Sequence, residues 1–362
     1  MQIVGTGAVH RNQIELLDEQ GEYVPIIASF VRFLGVRDCS PNTIIAYLHD
    51  LKLLFGYLSS AGIAVEQFKT MHLIDFITYL TDRRRGAGGR QASTPAIVSD
   101  RLAPATINRV LAGVSTFYEH LVLTGAFSVA HNPLETHGEQ QRAGRRTGRR
   151  SMRMRRIQRV PRPLSNDQVM RLLAVPARAR DRAMLLLLLQ GGIRVGELLN
   201  LHLEDVQYGR RRIVIRHRCD HPRGVRTKSR SERLVDLLEP EALAALSDYV
   251  AAERPRDAST SHVFLVGGRG GRRCEPLGYD AFVKLFRRLR HKAGLDENWI
   301  TPHLLRHTHA TRLWEGGMRE LALQKRLGHA SFEATRVYTR VSDAGMLADY
   351  QRALTALQRL KP

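Results

Sequence analysis

Cysteine is scarce in this chain of 362 residues: Cys39, Cys219 and Cys274 form an odd, scattered set with no C-x-x-C pair. That spacing excludes a disulfide framework and points to a reducing compartment. A membrane-spanning run is missing as well. The longest apolar stretch, AMLLLLLQGGI, falls short of the roughly 20 residues a span requires and is followed at once by Arg194, so it reads as a buried helix. The opening residues MQIVGTGAVHRNQIELLDEQ lack a basic segment followed by an apolar one, so no secretory signal is expected and the protein is expected in the cytoplasm. Internal repeats and coiled-coil heptads are also lacking. Acidic residues are outnumbered, 35 Asp and Glu against 56 Lys and Arg, for a formal net charge of +21. Such a balance calls for a polyanionic partner.

The length suits two domains, and the apolar periodicity divides accordingly. In SPNTIIAYLHDLKLLFGYLSS, Ser40 is placed to cap a helix and Pro41 suits its first turn. Ile44, Leu48, Leu51, Phe55 and Leu58 follow at helical steps. MHLIDFITYLTD reads as a second helix. In PATINRVLAGVSTFYEHLVLTG the stripe is Ile107, Val110, Leu111, Val114, Phe117 and Leu121, with Gly125 ending the helix. Residues 1–22 are taken as an N-terminal extension and 23–130 as a helical domain. From 131 to 162 the periodicity disappears, and ten of the last 21 residues are arginine, which marks a basic interdomain linker. Arg145, Arg146, Arg149, Arg150, Arg153, Arg155 and Arg156 are its candidates for phosphate contact.

Beyond the linker, Ser165 and Gln168 stand at capping-box spacing before an apolar run. RDRAMLLLLLQ, a Gly191-Gly192 turn and RVGELLNL come next, then RRIVIRH and SERLVDL alternate as short strands do. Further helices are expected at about 278–292, 302–315, 319–327, 332–340 and 344–360. The fold expected is mainly α with a small antiparallel β-sheet. RHRCDHP, with His217, Cys219 and His221, has some metal-ligand character. It lacks a second ligand pair at zinc spacing, so a basic strand or loop meeting phosphate is preferred and no metal is expected.

Several basic or imidazole side chains interrupt apolar helical patterns, a placement that costs desolvation unless each has a partner. Arg194 follows the double-glycine turn with Glu197 three residues on. In TPHLLRHTHATRLW, His303, Arg306 and His307 share a face. His329 ends LQKRLGH, and Tyr338 lies nine residues further. Each has a plain structural account: an ion pair for Arg194 and Glu197, a capped carbonyl for His303, a favoured helix C-terminal cation for His329, a packed ring for Tyr338. Taken together with Lys228 in a strand turn, they are what phosphodiester cleavage needs. Arginine forks match the non-bridging oxygens of a phosphoryl transition state, and a phenol serves as nucleophile. No serine, cysteine or carboxylate pair elsewhere competes.

The segments QGGIRVGELLNL, TKSRSERLVDL, HLLRHTHATRLWEGG and LQKRLGHASFEATRVYTRV resemble, in order and spacing, the signature segments of the tyrosine recombinases, or phage integrase family. SPNTIIAYLHDLKLLF and the closing HNP are similar to that family's helical core-binding (SAM-like) domain. The resemblance implies a DNA-binding domain over 23–130 and a catalytic domain over 163–345. It further implies a C-terminal helix over 346–362 that docks on a neighbouring subunit; the stripe of Met346, Tyr350, Leu354 and Leu357 also suits packing on its own domain. Arg194 and Arg306 match the arginines that clamp the scissile phosphate, His303 the first histidine of H-x-x-R, and His329 the position before the nucleophile Tyr338. Lys228 matches the lysine that protonates the 5′ oxygen, and Glu197 the acidic support of the first arginine, while His307 and His309 are read as structural. The implied activity is site-specific strand exchange through a 3′-phosphotyrosyl intermediate and a four-way junction, with no cofactor, metal or ATP. The implied partners are double-stranded DNA, further copies of the chain in a tetramer on DNA, and accessory DNA-bending or partner recombinase proteins. Nick-and-reseal topoisomerase IB chemistry, or a DNA-binding module without catalysis, are the alternatives.

Overall fold

The computed structural model describes residues 2–6, 13–17, 25–82, 102–135, 154, 162–227, 232–268 and 270–328. The chain divides into two compact units, Met1–Gln158 and Arg159–Pro362.

The first unit begins with a hairpin the apolar pattern did not announce. Strand β1 (Gln2–Thr6) pairs antiparallel with β2 (Gln13–Leu17), Val4 opposite Glu15. Helix α1 (Pro25–Val36) follows. Helix α2 (Pro41–Ala61) starts where Ser40 Oγ accepts the Thr43 amide at 3.2 Å, and ends at Gly62, whose φ of 63° closes the last turn. Helix α3 (His72–Asp82) and helix α4 (Pro104–Thr124) complete the unit, α4 opening on a first-turn proline and closing on left-handed Gly125. The expected stripe of α4 is buried throughout. That of α2 is rotated slightly, with Leu54 in the core and Phe55 only half-buried against it. Phe30, Phe76, Phe117 and Tyr118 are the fully buried rings of this core. Helices α2 and α4 pack tightly at Gly113, where an added Cβ would lie 2.9 Å from Asp50 Oδ2.

In the second unit, α5 (Asn166–Ala174) carries the expected capping box. Ser165 Oγ accepts the Gln168 amide at 3.2 Å, and Gln168 Oε1 accepts the Ser165 amide at 3.0 Å. Helix α6 (Ala179–Gln190) buries every residue from Ala183 to Leu189. It packs against α8 (Pro240–Asp248) and α10 (Pro302–Glu315), which explains a helix apolar on all sides. Among the described residues no helix is long and apolar enough to cross a membrane. The short α7 (Val195–Leu199) leads to a three-stranded antiparallel sheet of β3 (Val206–Gln207), β4 (Arg212–Ile215) and β5 (Arg233–Asp236). Ile213 pairs with Val235 at its centre, both fully buried. After α8, a π-helical turn spans Tyr249–Glu253, then α9 (Tyr279–Lys292), α10 and α11 (Glu320–Leu327) complete the described unit. The helices expected at 332–340 and 344–360 lie outside the described residues.

Candidate active site

The double-glycine turn after α6 is dictated by what surrounds it. Gly192 has φ +61°, and a Cβ there would sit 2.2 Å from His309 Cδ2, so only glycine fits. The turn delivers Arg194 to the start of α7. Glu197 then folds back on it: Oε2 accepts the Arg194 amide at 2.8 Å, and Oε1 accepts from Arg194 Nη1 at 2.8 Å. The i,i+3 spacing noted in the sequence is therefore a cap and an ion pair at once.

Arg306 projects from the first turns of α10 and is 1% exposed. Its Nη1 donates to the Gly192 carbonyl and its Nη2 to the Leu327 carbonyl, each at 2.6 Å. Arg194 Nη2 donates to the next carbonyl, Gly328, at 3.0 Å. Arg233 of β5 holds the preceding one, Arg326, through Nε at 3.0 Å. Three guanidinium groups from three distant segments thus converge on three consecutive carbonyls at the C-terminal end of α11, where the helix presents partial negative charge. The chain runs from this turn directly into His329.

Sequence reasoning missed Arg233. It donates through both terminal nitrogens to Glu197, Nη1 to Oε1 at 2.9 Å and Nη2 to Oε2 at 2.6 Å. Burial pushes the Glu197 carboxyl up, but the bonds and charge of Arg233, reinforced by Arg194, outweigh it and hold the group at about 2. A signal was present in SERLVDL: alternation puts Arg233 on the same inward face as buried Val235, an arginine where an apolar residue belongs.

His303 is exposed on α10, three residues before Arg306, and its ring meets His307 edge to face at 4.7 Å. Burial, then the charges of His303 and Arg306, lowers His307 to about 4. His309 lies deeper. Arg326 Nε donates to its Nε2 at 3.1 Å, which leaves the proton on Nδ1 for the Leu189 carbonyl at 2.8 Å. Burial and the Arg326 charge bring it to about 3, so it braces α6, α10 and α11 as a neutral ring.

Lys228, His329, Tyr338 and the linker arginines Arg145, Arg146, Arg149, Arg150, Arg153, Arg155 and Arg156 lie outside the described residues. The segment that ends one residue before Lys228 is firmly built. Thr227 Oγ1 receives the Arg218 amide at 3.1 Å and bonds His217 Nδ1 at 3.0 Å, while Arg218 pairs with buried Asp205. An added Cβ at Gly196 would lie 2.5 Å from the Arg226 carbonyl, so α7 presses directly on the peptide leading to Lys228. The metal-like trio in RHRCDHP does not converge: His217 and Cys219 are exposed, while buried His221 packs against His262, which in turn meets His202. His221 Nδ1 accepts the Arg223 amide, which places its proton on Nε2 and removes the lone pair a metal needs. Among the described residues no group of three His, Cys, Asp or Glu is placed to hold a metal ion.

Residues 162–344 match the phage integrase family, and residues 27–125 match its N-terminal SAM-like domain. The chain belongs to the phage integrase family. It is a site-specific tyrosine recombinase, an enzyme of DNA recombination. The chain is 28% identical to transposase A of transposon Tn554 from Staphylococcus aureus, over 96% of this chain and 95% of that one. It is 30% identical to the tyrosine recombinase XerC of Pelobacter propionicus, over 88% of this chain and 90% of that one. In fold it is similar to the Tn1549 transposon integrase solved with transposon right end DNA, with a TM-score of 0.66, 18% identity, and coverage of 91% of this chain and 99% of that one.

Proposed function

We propose that this recombinase binds double-stranded DNA and exchanges strands through Tyr338, with Arg194 and Arg306 as the clamp on the scissile phosphate. The observation that carries this reading is the convergence of the two arginines on adjacent carbonyls, Gly328 and Leu327, from segments more than a hundred residues apart. Two fixed guanidinium groups offset the charge that develops on the non-bridging oxygens in the transition state. The Tyr338 hydroxyl attacks phosphorus and gives up its proton, ordinarily held to a pKa of about 10, to a neighbouring imidazole. We assign that role to His303, with His329 as a hydrogen-bond donor to the phosphate. The bond from phosphorus to the 5′ oxygen breaks, and Lys228 supplies the proton that oxygen takes. The product is a 3′-phosphotyrosyl bond and a free 5′ hydroxyl. A 5′ hydroxyl from a partner strand then attacks the adduct and releases Tyr338, and two such exchanges pass through a four-way junction.

The protein in this reading acts in the cytoplasm, on the nucleoid, as a tetramer on DNA, with accessory DNA-bending or partner recombinase proteins where the site requires them. Its helical domain over 23–130 and catalytic domain over 163–345 grip the duplex. The linker arginines of 131–162 follow the phosphate backbone, and the 346–362 helix reaches a neighbouring subunit. The complexes of the Tn1549 integrase with transposon DNA support a DNA partner for this chain.

The test uses a duplex carrying the sequence the protein protects from nuclease, nicked close to the mapped cleavage point so that the released fragment diffuses away. Wild-type protein accumulates as a covalent adduct on this duplex. Arg194→Gln and Arg306→Gln should reduce the adduct by at least about a hundredfold. Adduct at the wild-type rate from either variant would contradict the clamp.

A further inference from the structure

We infer that Arg233 is a positioning residue for strand cleavage: it keeps Glu197 from neutralising Arg194 and fixes the turn on which both clamp arginines rest. The inference rests on the reading of Arg194 as a phosphate clamp.

Glu197 is a carboxylate with a fully buried side chain, placed against an arginine that must attract a phosphate. With Arg194 as sole partner, the pair would carry no net charge, and the pull on a phosphodiester would be largely spent internally. Arg233 changes that balance. It occupies both carboxylate oxygens, at 2.9 and 2.6 Å, and brings the group of three to a net charge of +1. Each oxygen of Glu197 then accepts two donors: Oε1 takes Arg194 Nη1 and Arg233 Nη1, and Oε2 takes the Arg194 amide and Arg233 Nη2. A carboxylate filled in this way has little freedom to swing into a bidentate grip on Arg194.

Arg233 adds a third bond, from Nε to the Arg326 carbonyl at 3.0 Å. It therefore joins β5, α7 and the end of α11 through one planar group. Lysine, a point charge on a flexible stem, cannot reproduce three directed bonds. The approach is tight enough to constrain the sequence opposite: a Cβ on Gly328 would lie 2.8 Å from Arg233 Nη1 and 3.1 Å from its Cδ. The Arg233 side chain is only 7% exposed, so it acts through Arg194 and the 326–328 turn.

The experiment measures single-turnover adduct formation at saturating DNA, DNA affinity, and melting temperature for Arg233→Lys, Arg233→Gln, and the double variant Arg233→Gln with Glu197→Gln. Arg233→Gln should lose at least about tenfold in cleavage rate while DNA affinity stays within about threefold, and Arg233→Lys, which keeps the charge and loses the fork, should fall between it and wild type. The double variant should cleave faster than Arg233→Gln alone, because removing the carboxylate restores the net charge of +1. A residue serving only to hold the fold together gives no such recovery. Cleavage by Arg233→Gln at the wild-type rate, or a double variant no faster than the single, overturns the inference. Should Arg233→Gln fail to fold, Arg233→Lys decides, and a wild-type rate there overturns it equally. Arg194→Gln runs alongside: if it cleaves normally, the clamp reading itself fails, whereas an inactive Arg194→Gln beside a fully active Arg233→Gln removes the Arg233 inference alone.

Discussion

The two units both close around tight cores, but they place different chemistry inside. Around Phe30, Phe76, Phe117 and Tyr118 the first unit buries rings and aliphatic chains, with Asp50, His120 and Asn132 as its buried polar side chains among the described residues. The second unit buries Glu197, Arg306, Asp205 and the histidines 202, 221, 262 and 309, beside an equally complete apolar core at α6. Buried charge is expensive unless fully bonded, and a fold retains it where position matters more than stability. The first unit is therefore built to hold a shape, and the second to hold guanidinium groups in place.

That contrast can be broken at its strongest point first. Arg306→Ala removes a charge bonded to two backbone carbonyls. It should lower covalent adduct formation by about a thousandfold and also destabilise the second unit, by about 3 kcal/mol, as the Gly192 and Leu327 carbonyls are left unpaired. Phe117→Ala in the first unit should be comparably destabilising, about 3 to 4 kcal/mol in a denaturant titration, from the cavity it leaves. At a temperature where that variant remains folded, its single-turnover cleavage on saturating DNA should stay within about threefold of wild type, the threefold being allowed for altered docking. If Phe117→Ala abolishes cleavage while folded, the division of labour between the units is wrong. A smaller effect is expected from Gly192→Ala, about 2 kcal/mol, for a Cβ forced against the His309 ring at positive φ.

The gentlest probe is pH. His221, His262 and His307 are lowered to about 4 and His309 to about 3, chiefly by burial, from an ordinary 6.5. In the unfolded chain these rings take up protons below 6.5, while the folded ones stay neutral down to about 4. The stability they contribute is thus complete above 6.5 and is lost as pH falls toward 4. In the first unit Asp50 is raised by burial to about 7 against the opposing pull of Arg109, so its contribution runs the other way and is lost as pH rises through that range. His120, lowered by burial, partly offsets it. Amide exchange at pH 5 and pH 7 should therefore show α6 clearly better protected at pH 7 once intrinsic rates are corrected, and α4 changing less. Equal shifts in both helices would contradict the contrast.

Local features of this architecture were legible in the sequence, and long-range ones were not. Ser40 and Pro41 open α2, Gly125 closes α4, and the Ser165 capping box opens α5, because such signals act over three or four residues. The run of leucines in α6 read correctly as a buried helix because its length rules out a span. The pairing of Arg194 with Glu197 was visible at one helical turn. What escaped was the link between Glu197 and Arg233, separated by 36 residues, and the meeting of three arginines on the 326–328 carbonyls, since backbone acceptors carry no sequence signature. The β1–β2 hairpin also went unread, as GAVHRN between its strands contains no two-residue turn signal flanked by clean alternation.

The central claim is that the phosphate-clamping arginines serve a tyrosine nucleophile, and one measurement tests it most directly. Wild-type protein and Tyr338→Phe are incubated with the nicked duplex, and the products are separated on a denaturing gel after DNA affinity has been measured on the same samples. The prediction is equal affinity, a protein–DNA adduct for wild type, and none for Tyr338→Phe. An adduct that persists in Tyr338→Phe would mean that another residue attacks the phosphate.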